Sequence, residues 1–195
     1  MNQLATAGKR VDSRTQILDA ARELVNSIEY SVLTMKQVAD HAGVSRATLY
    51  RYYSTKEELY SDVTFQWGQD FVQSVHLEPP SGQTVGQKLS DLIDRAITQV
   101  VNNHNLMAAH IAVISSENSK LKADRRRLRG LMPSLVYIST GDRFSENIEM
   151  ACTILQHVLI ANLILLNAGK TEREKIVEEL QFVAKKLLSD VWDLA

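Results

Sequence analysis

TMKQVADHAGVSRATLYRYYSTK, residues 34–56, carries two short amphipathic segments around the tetrad Ala42-Gly43-Val44-Ser45. Met35, Val38, Ala39 and Ala42 recur at helical spacing behind Thr34, whose hydroxyl can accept from an amide two or three residues on. Gly43 offers the positive φ of a tight helix exit, Val44 fills the corner, and Ser45 caps a second helix. Small Ala39 lets the two helices approach closely. From the second helix Leu49 and Tyr53 face inward, leaving Arg46, Ala47, Thr48, Tyr50, Arg51 and Tyr52 for its outer surface and edges. The spacing predicts a helix-turn-helix with an outward basic and aromatic face; the plain alternative is a helical hairpin inside an ordinary bundle.

Upstream, Ile17, Leu18, Ala21, Leu24, Val25 and Ile28 predict a helix from Ser13 to about Glu29, with Asp12 or Ser13 as its cap. Residues 1–12 show no periodicity and read as a mobile arm. There Lys9 and Arg10, with Arg14 just beyond, either touch phosphates or stay solvated. Charge follows the same division. The chain has a formal net charge of −1, but residues 1–56 hold eight Lys/Arg against five Asp/Glu, so a weakly basic head sits on an acidic body.

With 45% hydrophobic and 23% charged residues, the 195-residue chain can bury a core, and only 8 Gly and 3 Pro favour an all-α protein with few connections. One cysteine, Cys152, excludes an internal disulfide and a multi-cysteine metal site. The first residues lack the apolar stretch of a secretory signal, and the apolar run 158–166, broken by Asn162, is too short for a bilayer of about 30 Å; a cytoplasmic protein is expected.

Downstream, a long helix from Lys56 carries Leu59, Val63, Phe65, Trp67, Phe71 and Val75 and ends at Pro79-Pro80-Ser81-Gly82. Gln66, Trp67 and Phe71 line a pocket or pack between head and body. Thr84 caps a segment bearing Leu89, Leu92, Ile93 and Ile97; a second segment carries Met107, His110, Ile111 and Ile114. His110 is a hydrogen-bonded core residue or a ligand group. The basic run KADRRRLR, residues 122–129, spreads around its helix axis and is read as a solvated helix in preference to a second DNA site. Pro133 kinks or restarts the next helix, followed by Tyr137 and the turn 140–143. Of the last two helices, the first, capped by Ser145, is apolar almost all round, and the second opens on a Thr171/Glu174 capping box. Their surplus apolar faces predict a four-helix dimer interface through Leu155, Leu159, Leu163, Leu166, Ile176, Leu180, Val183 and Leu187.

GVSRATLYRYYSTKEEL, residues 43–59, resembles the motif of the TetR family of bacterial transcriptional regulators, and the likeness in sequence covers about residues 13–62. Ala47 stands where that family often has Gly, and Tyr53 where a Phe closes the aromatic segment; a buried Tyr53 needs a partner for its hydroxyl. The resemblance implies a three-helix DNA-binding head at 13–55 and a helical ligand-binding and dimerisation body at 56–195, about nine helices in all. By position it implies that Lys36, Arg46, Ala47 and Thr48 approach bases, and that Thr34, Tyr50, Tyr52 and Lys56 hold phosphates. Ser45 opens the reading helix, and Arg51 reaches base, phosphate or solvent.

The expected function is therefore a dimeric, sequence-specific transcriptional regulator, a repressor released from a palindromic operator on double-stranded DNA by a small, hydrophobic effector. The expected pocket residues are Trp67, Phe71, Leu92, Met107, His110, Ile114, Met132, Tyr137 and Gln156, whose faces hold no acidic or basic cluster. A regulator or adaptor without a small effector is the alternative. An enzyme is not expected: there is no Gly-rich phosphate loop, HExxH or GxSxG, and His41, His76, His104, His110 and His157 are scattered. No cofactor, metal or membrane partner is expected.

Overall fold

Four capped starts organise the first half of the chain. The computed structural model describes residues 12–141 and 145–194. The expected arm, apart from Asp12, and Asp142 and Arg143 of the expected turn lie outside the described residues. Those described form α1 Ser13–Ser27, α2 Met35–His41, α3 Arg46–Tyr52, α4 Lys56–Leu77, α5 Val85–Asn102, α6 His104–Ser115, a 3-10 turn Ser119–Leu121, α7 Lys122–Arg129, α8 Leu131–Thr140, α9 Glu146–Asn167 and α10 Arg173–Leu187. The fold is all-α.

Thr34 and Gln37 make a reciprocal capping box at α2, and Thr84 and Gln87 make another at α5. Ser45 accepts from the Thr48 amide at 3.0 Å, and Thr55 accepts from the Glu58 amide at 3.1 Å. Gly43 has φ +66, as a turn between closely packed helices requires. Pro133 falls in the first turn of α8, where its missing N–H breaks no helical hydrogen bond, so it restarts the helix beyond Gly130.

Two expected caps do not form. Neither Ser145 at α9 nor the start of α10 has a side-chain cap; α10 begins at Arg173, and the Thr171 hydroxyl is buried without a partner. α10 also stops at Leu187, short of Val191. The residues beyond it have another use: the carbonyls of Trp192 and Leu194 accept from the Gly86 and Val85 amides at 2.8 Å each, satisfying donors that the first turn of α5 leaves open.

One core joins α1, α2, α3 and the first turns of α4 through Ile17, Val25, Val38, Leu49, Leu59 and Tyr60, and continues into Leu106, Ala109 and Val113 of α6 and Leu128 of α7. The body core lies among α4, α5, α8, α9 and α10. α4 thus belongs to both. α9, 22 residues long and apolar, matches a bilayer-crossing helix by length and composition alone. In the fold one side of it packs on α6, α8 and α10, and Asn162, only 4% exposed, donates to the Val158 carbonyl and to Glu179, both at 3.2 Å.

Candidate functional site

Seven-residue α3 sends Leu49 into the core, with Tyr53 buried just past its end, and presents Arg46, Ala47, Tyr50, Arg51 and Tyr52 to solvent. Tyr50 is 51% exposed, unusual for so large a ring. The Arg51 guanidinium lies over the Tyr52 ring, 5.2 Å from its centroid, and so forms one cationic and aromatic surface with it. Thr34 and Lys36 at the start of α2 are exposed, as is Ser45. The Ser45 and Thr48 hydroxyls are 2.9 Å apart and already paired, and Thr34 Oγ1 donates to Gln37 at 2.7 Å.

Lys56, expected to hold a phosphate, also has partners within the fold. Its Nζ donates to the Tyr30 and Leu33 carbonyls at 2.8 and 3.0 Å and lies 4.1 Å from the Tyr30 ring centroid. Burial lowers its pKa below the ordinary lysine value. Two of its three N–H groups therefore pin the connection between α1 and α2 to the start of α4, leaving one for a phosphate.

Sequence reasoning missed Asp62. Its carboxylate on α4 accepts from Arg14 of α1 at 2.5 Å, from the Tyr53 hydroxyl at 2.9 Å and from Arg127 of α7 at 3.4 Å. That supplies the partner Tyr53 needs and places Arg14 in an ion pair. Burial, with the adjacent carboxylate, raises the Tyr53 phenol pKa well above its usual value. Nothing local in the sequence marks Asp62, because two of its three partners lie 48 and 65 residues away. Arg22 and Asp70 add a second tie between α1 and α4 at 2.5 Å.

Within the basic run, Arg125 donates to the Ser116 carbonyl at 2.8 Å, and Arg127 stacks 4.0 Å from the Phe65 centroid besides meeting Asp62 and Asp124. Arg127 thus ties α7 to α4, and Arg125 ties α7 to the end of α6.

Below the head, α4 to α10 line a partly open cavity of about 180 Å³. Of the nine residues expected there, Trp67, Phe71, Leu92, Met107, His110, Met132 and Gln156 line it. Ile114 and Tyr137 do not. Ile114 packs on the head core, and Tyr137 is 50% exposed outside the cavity. Both errors arise because position along an amphipathic helix does not say which neighbour its apolar face meets. Gly68 and Leu131, also missed, close one wall: a Cβ at Gly68 would lie 2.4 Å from Leu131 Cδ1, so only glycine admits this contact with Leu131 where it stands. Leu131 also borders a polar cleft with Arg22, Asp70, His76 and Arg127, and so separates the two spaces.

The expected dimer face is turned inward. Leu155, Leu163, Ile176 and Leu180 are buried within the protomer, and Leu159, Leu166, Val183 and Leu187 pack against the same clusters. Exposed on α9 instead are Met150, Ile154, His157, Ala161 and Ile164, spaced by four and three residues alternately, with Phe182 exposed on α10. Because α9 is apolar almost all round, periodicity could not choose between its two sides.

Residues 17–63 match the family described as bacterial regulatory proteins, tetR family. The chain is 24% identical over 126 residues to the fatty acid metabolism regulator protein of Bacillus subtilis, a match spanning 65% of this chain and 63% of that one. In fold it is similar to a TetR transcriptional regulator from Rhodococcus sp. RHA1, with TM-score 0.81 and 20% identity over 92% of this chain and 97% of that one. It is also similar to Thermus thermophilus FadR, a TetR-family repressor solved with lauroyl-CoA, with TM-score 0.74 and 20% identity over 90% and 93% of the two chains. The matched stretch runs from the buried face of α1 through α3 to the residue after Asp62, so residues 17–63 resemble the tetR family of bacterial regulatory proteins, and the chain shares the all-helical fold of these TetR regulators.

Proposed function

We propose that the protein is a dimeric, sequence-specific repressor whose reading helix α3 enters the major groove of a palindromic operator and whose body releases it on binding a small, hydrophobic effector. The observation that carries this is α3 itself: a seven-residue helix with Leu49 turned to the core and its cations and tyrosines turned to solvent. Arg46 offers a bidentate pair to guanine, and the Ala47 and Thr48 methyls meet thymine methyls, with Lys36 approaching from α2. Tyr50, Tyr52 and Thr34 hold phosphates, with Lys56 contributing its remaining N–H.

One such head reads few base pairs, so two heads one or more helical turns apart form the working unit. The α9 seam of Met150, Ile154, Ala161 and Ile164, with Phe182, supports pairing of two copies, since its four-and-three spacing suits knobs-into-holes packing. Residues 13–55 act as the reader and 56–195 as the ligand-binding and pairing body, with α4 as the joint. The effector favours the body conformation in which the heads have the wrong separation. The named relatives point to lipid-derived effectors. The site of action is the cytoplasm, where bacterial DNA lies.

Fluorescence anisotropy on the DNA upstream of its own gene, at fixed salt, tests the reading. Expected is sequence-specific binding that Tyr50→Ala weakens alike on all sequences, while Arg46→Ala also relaxes base preference. Equal affinity for scrambled DNA would overturn it.

A further inference from the structure

The cavity's lining is apolar apart from Thr64, the indole of Trp67, Gln99, His110 and Gln156, and it includes no Lys, Arg, Asp or Glu. Thr64 spends its hydroxyl on the Ser61 carbonyl at 3.3 Å. His110 has no such outlet: its Nδ1 is sealed from solvent without a hydrogen-bond partner. The residue lines the cavity and keeps part of its surface exposed. Burial pushes its pKa down to about 4, so it is neutral at physiological pH, with one ring nitrogen donating and the other accepting. A buried ring nitrogen left unpaired is costly and calls for a partner.

We propose that His110 is the polar anchor of this cavity, and that the buried part of the effector is an uncharged group of roughly seven to ten non-hydrogen atoms bearing one hydroxyl or carbonyl. This rests on the reading of the protein as an effector-controlled repressor. A cavity of about 150 Å³ holds benzene, which scales this one of about 180 Å³ to that size. A hydroxyl satisfies either imidazole tautomer, because it donates and accepts; a carbonyl satisfies the ring N–H. A carboxylate or phosphate buried here would find no cation in the lining and would lose its hydration uncompensated.

The test uses the full chain and three matched probes: hexan-1-ol, n-heptane and hexanoate. Binding is measured by calorimetry and by the imidazole ¹⁵N shift of His110, in the wild type and in His110→Phe and His110→Gln. Expected is that hexan-1-ol moves the His110 nitrogen signals and that hexanoate binds at least thirtyfold more weakly than the alcohol. His110→Phe should weaken the alcohol about tenfold relative to heptane, the size of one net hydrogen bond, and His110→Gln should restore part of that preference. An unchanged alcohol-to-heptane ratio in His110→Phe, or hexanoate binding as tightly as the alcohol, overturns the anchor and leaves the repressor reading standing. Should His110→Phe fail to fold, the glutamine variant and the ¹⁵N shift decide alone; an unmoved nitrogen signal with the alcohol bound is a refutation. If neither alcohol nor heptane binds the wild type, the effector reading itself fails and takes this proposal with it.

Discussion

α3 and α9 each turn neighbouring residues in opposite directions, yet what they expose differs in kind. On α3, Leu49 is fully buried and Tyr50 is exposed beside Arg46 and Arg51. On α9, Leu155 is buried while Ile154 is exposed beside Met150 and, further on, Ile164. A cationic, aromatic surface suits a polyanion; an apolar seam suits a second apolar seam. The chemistry of the exposed half thus separates the helix proposed to read DNA from the one proposed to pair with a second copy, although each has a buried half of ordinary core residues.

The largest effect expected is the one that breaks the inner halves. Leu49→Ala leaves a cavity where α3 meets the head core and should lower stability by about 2–5 kcal/mol in denaturant unfolding. Tyr50→Ala, one residue on, should leave unfolding nearly unchanged and act on DNA affinity alone. Similar stability losses in the two variants would show that α3 is held as much by its outer face as by its inner one.

On α9 the matching break is Ile154→Glu. A charge in the centre of the seam should weaken self-association at least a hundredfold in sedimentation, roughly 3 kcal/mol, with the protomer still folded. An unchanged oligomeric state would move the pairing surface away from this seam.

How much was legible in the sequence follows from the same contrast. The head was read residue by residue because its signals are local: the caps at Thr34 and Ser45, the +66 φ of Gly43 and the alternation of Leu49 with Tyr50 all act within a few positions. In the body the helices were legible, whereas the partner of each face was not. Leu155 and Leu163 were assigned to a dimer face and line the protomer's cavity; Ile114 was assigned to the cavity and packs on the head. An all-apolar helix carries no mark distinguishing a covered side from an uncovered one. Asp62 escaped for a related reason, since a carboxylate on a mixed helix looks solvated until distant arginines are brought to it.

His110 sharpens the contrast from the cavity side through pH. Its folded pKa of about 4 lies below the ordinary 6.5, so between those values the unfolded chain takes up a proton that the folded one refuses. The stability this histidine allows is complete above pH 6.5 and is lost as pH falls from 6.5 towards 4. At 1.36 kcal/mol per pH unit the loss is roughly 2 kcal/mol by pH 5. His110→Phe should remove that part of the pH dependence, seen as a smaller fall in unfolding midpoint between pH 7 and 5. Parallel profiles for the two proteins would show that the imidazole is not held neutral.

Asp62→Asn, with a modest effect on stability, reaches furthest into function. Asp62 joins α1, the end of α3 and α7, so it touches both the proposed reader and the body that holds the cavity. Asparagine keeps the shape and one acceptor oxygen while removing the charge that Arg14 and Arg127 meet. Both arginines are half-exposed, so the loss in unfolding free energy should be only about 1–2 kcal/mol, a few degrees in Tm for a chain of this length. The link from α7 to the head should loosen by more than that number suggests. Operator affinity without effector should change little, because no base or phosphate contact is assigned to Asp62, whereas the factor by which effector lowers operator affinity should shrink. Measuring anisotropy with and without a saturating effector in both proteins separates the two quantities. A variant that lost operator affinity and kept the full effector response would show Asp62 to be a brace of the head and not its coupling to the body.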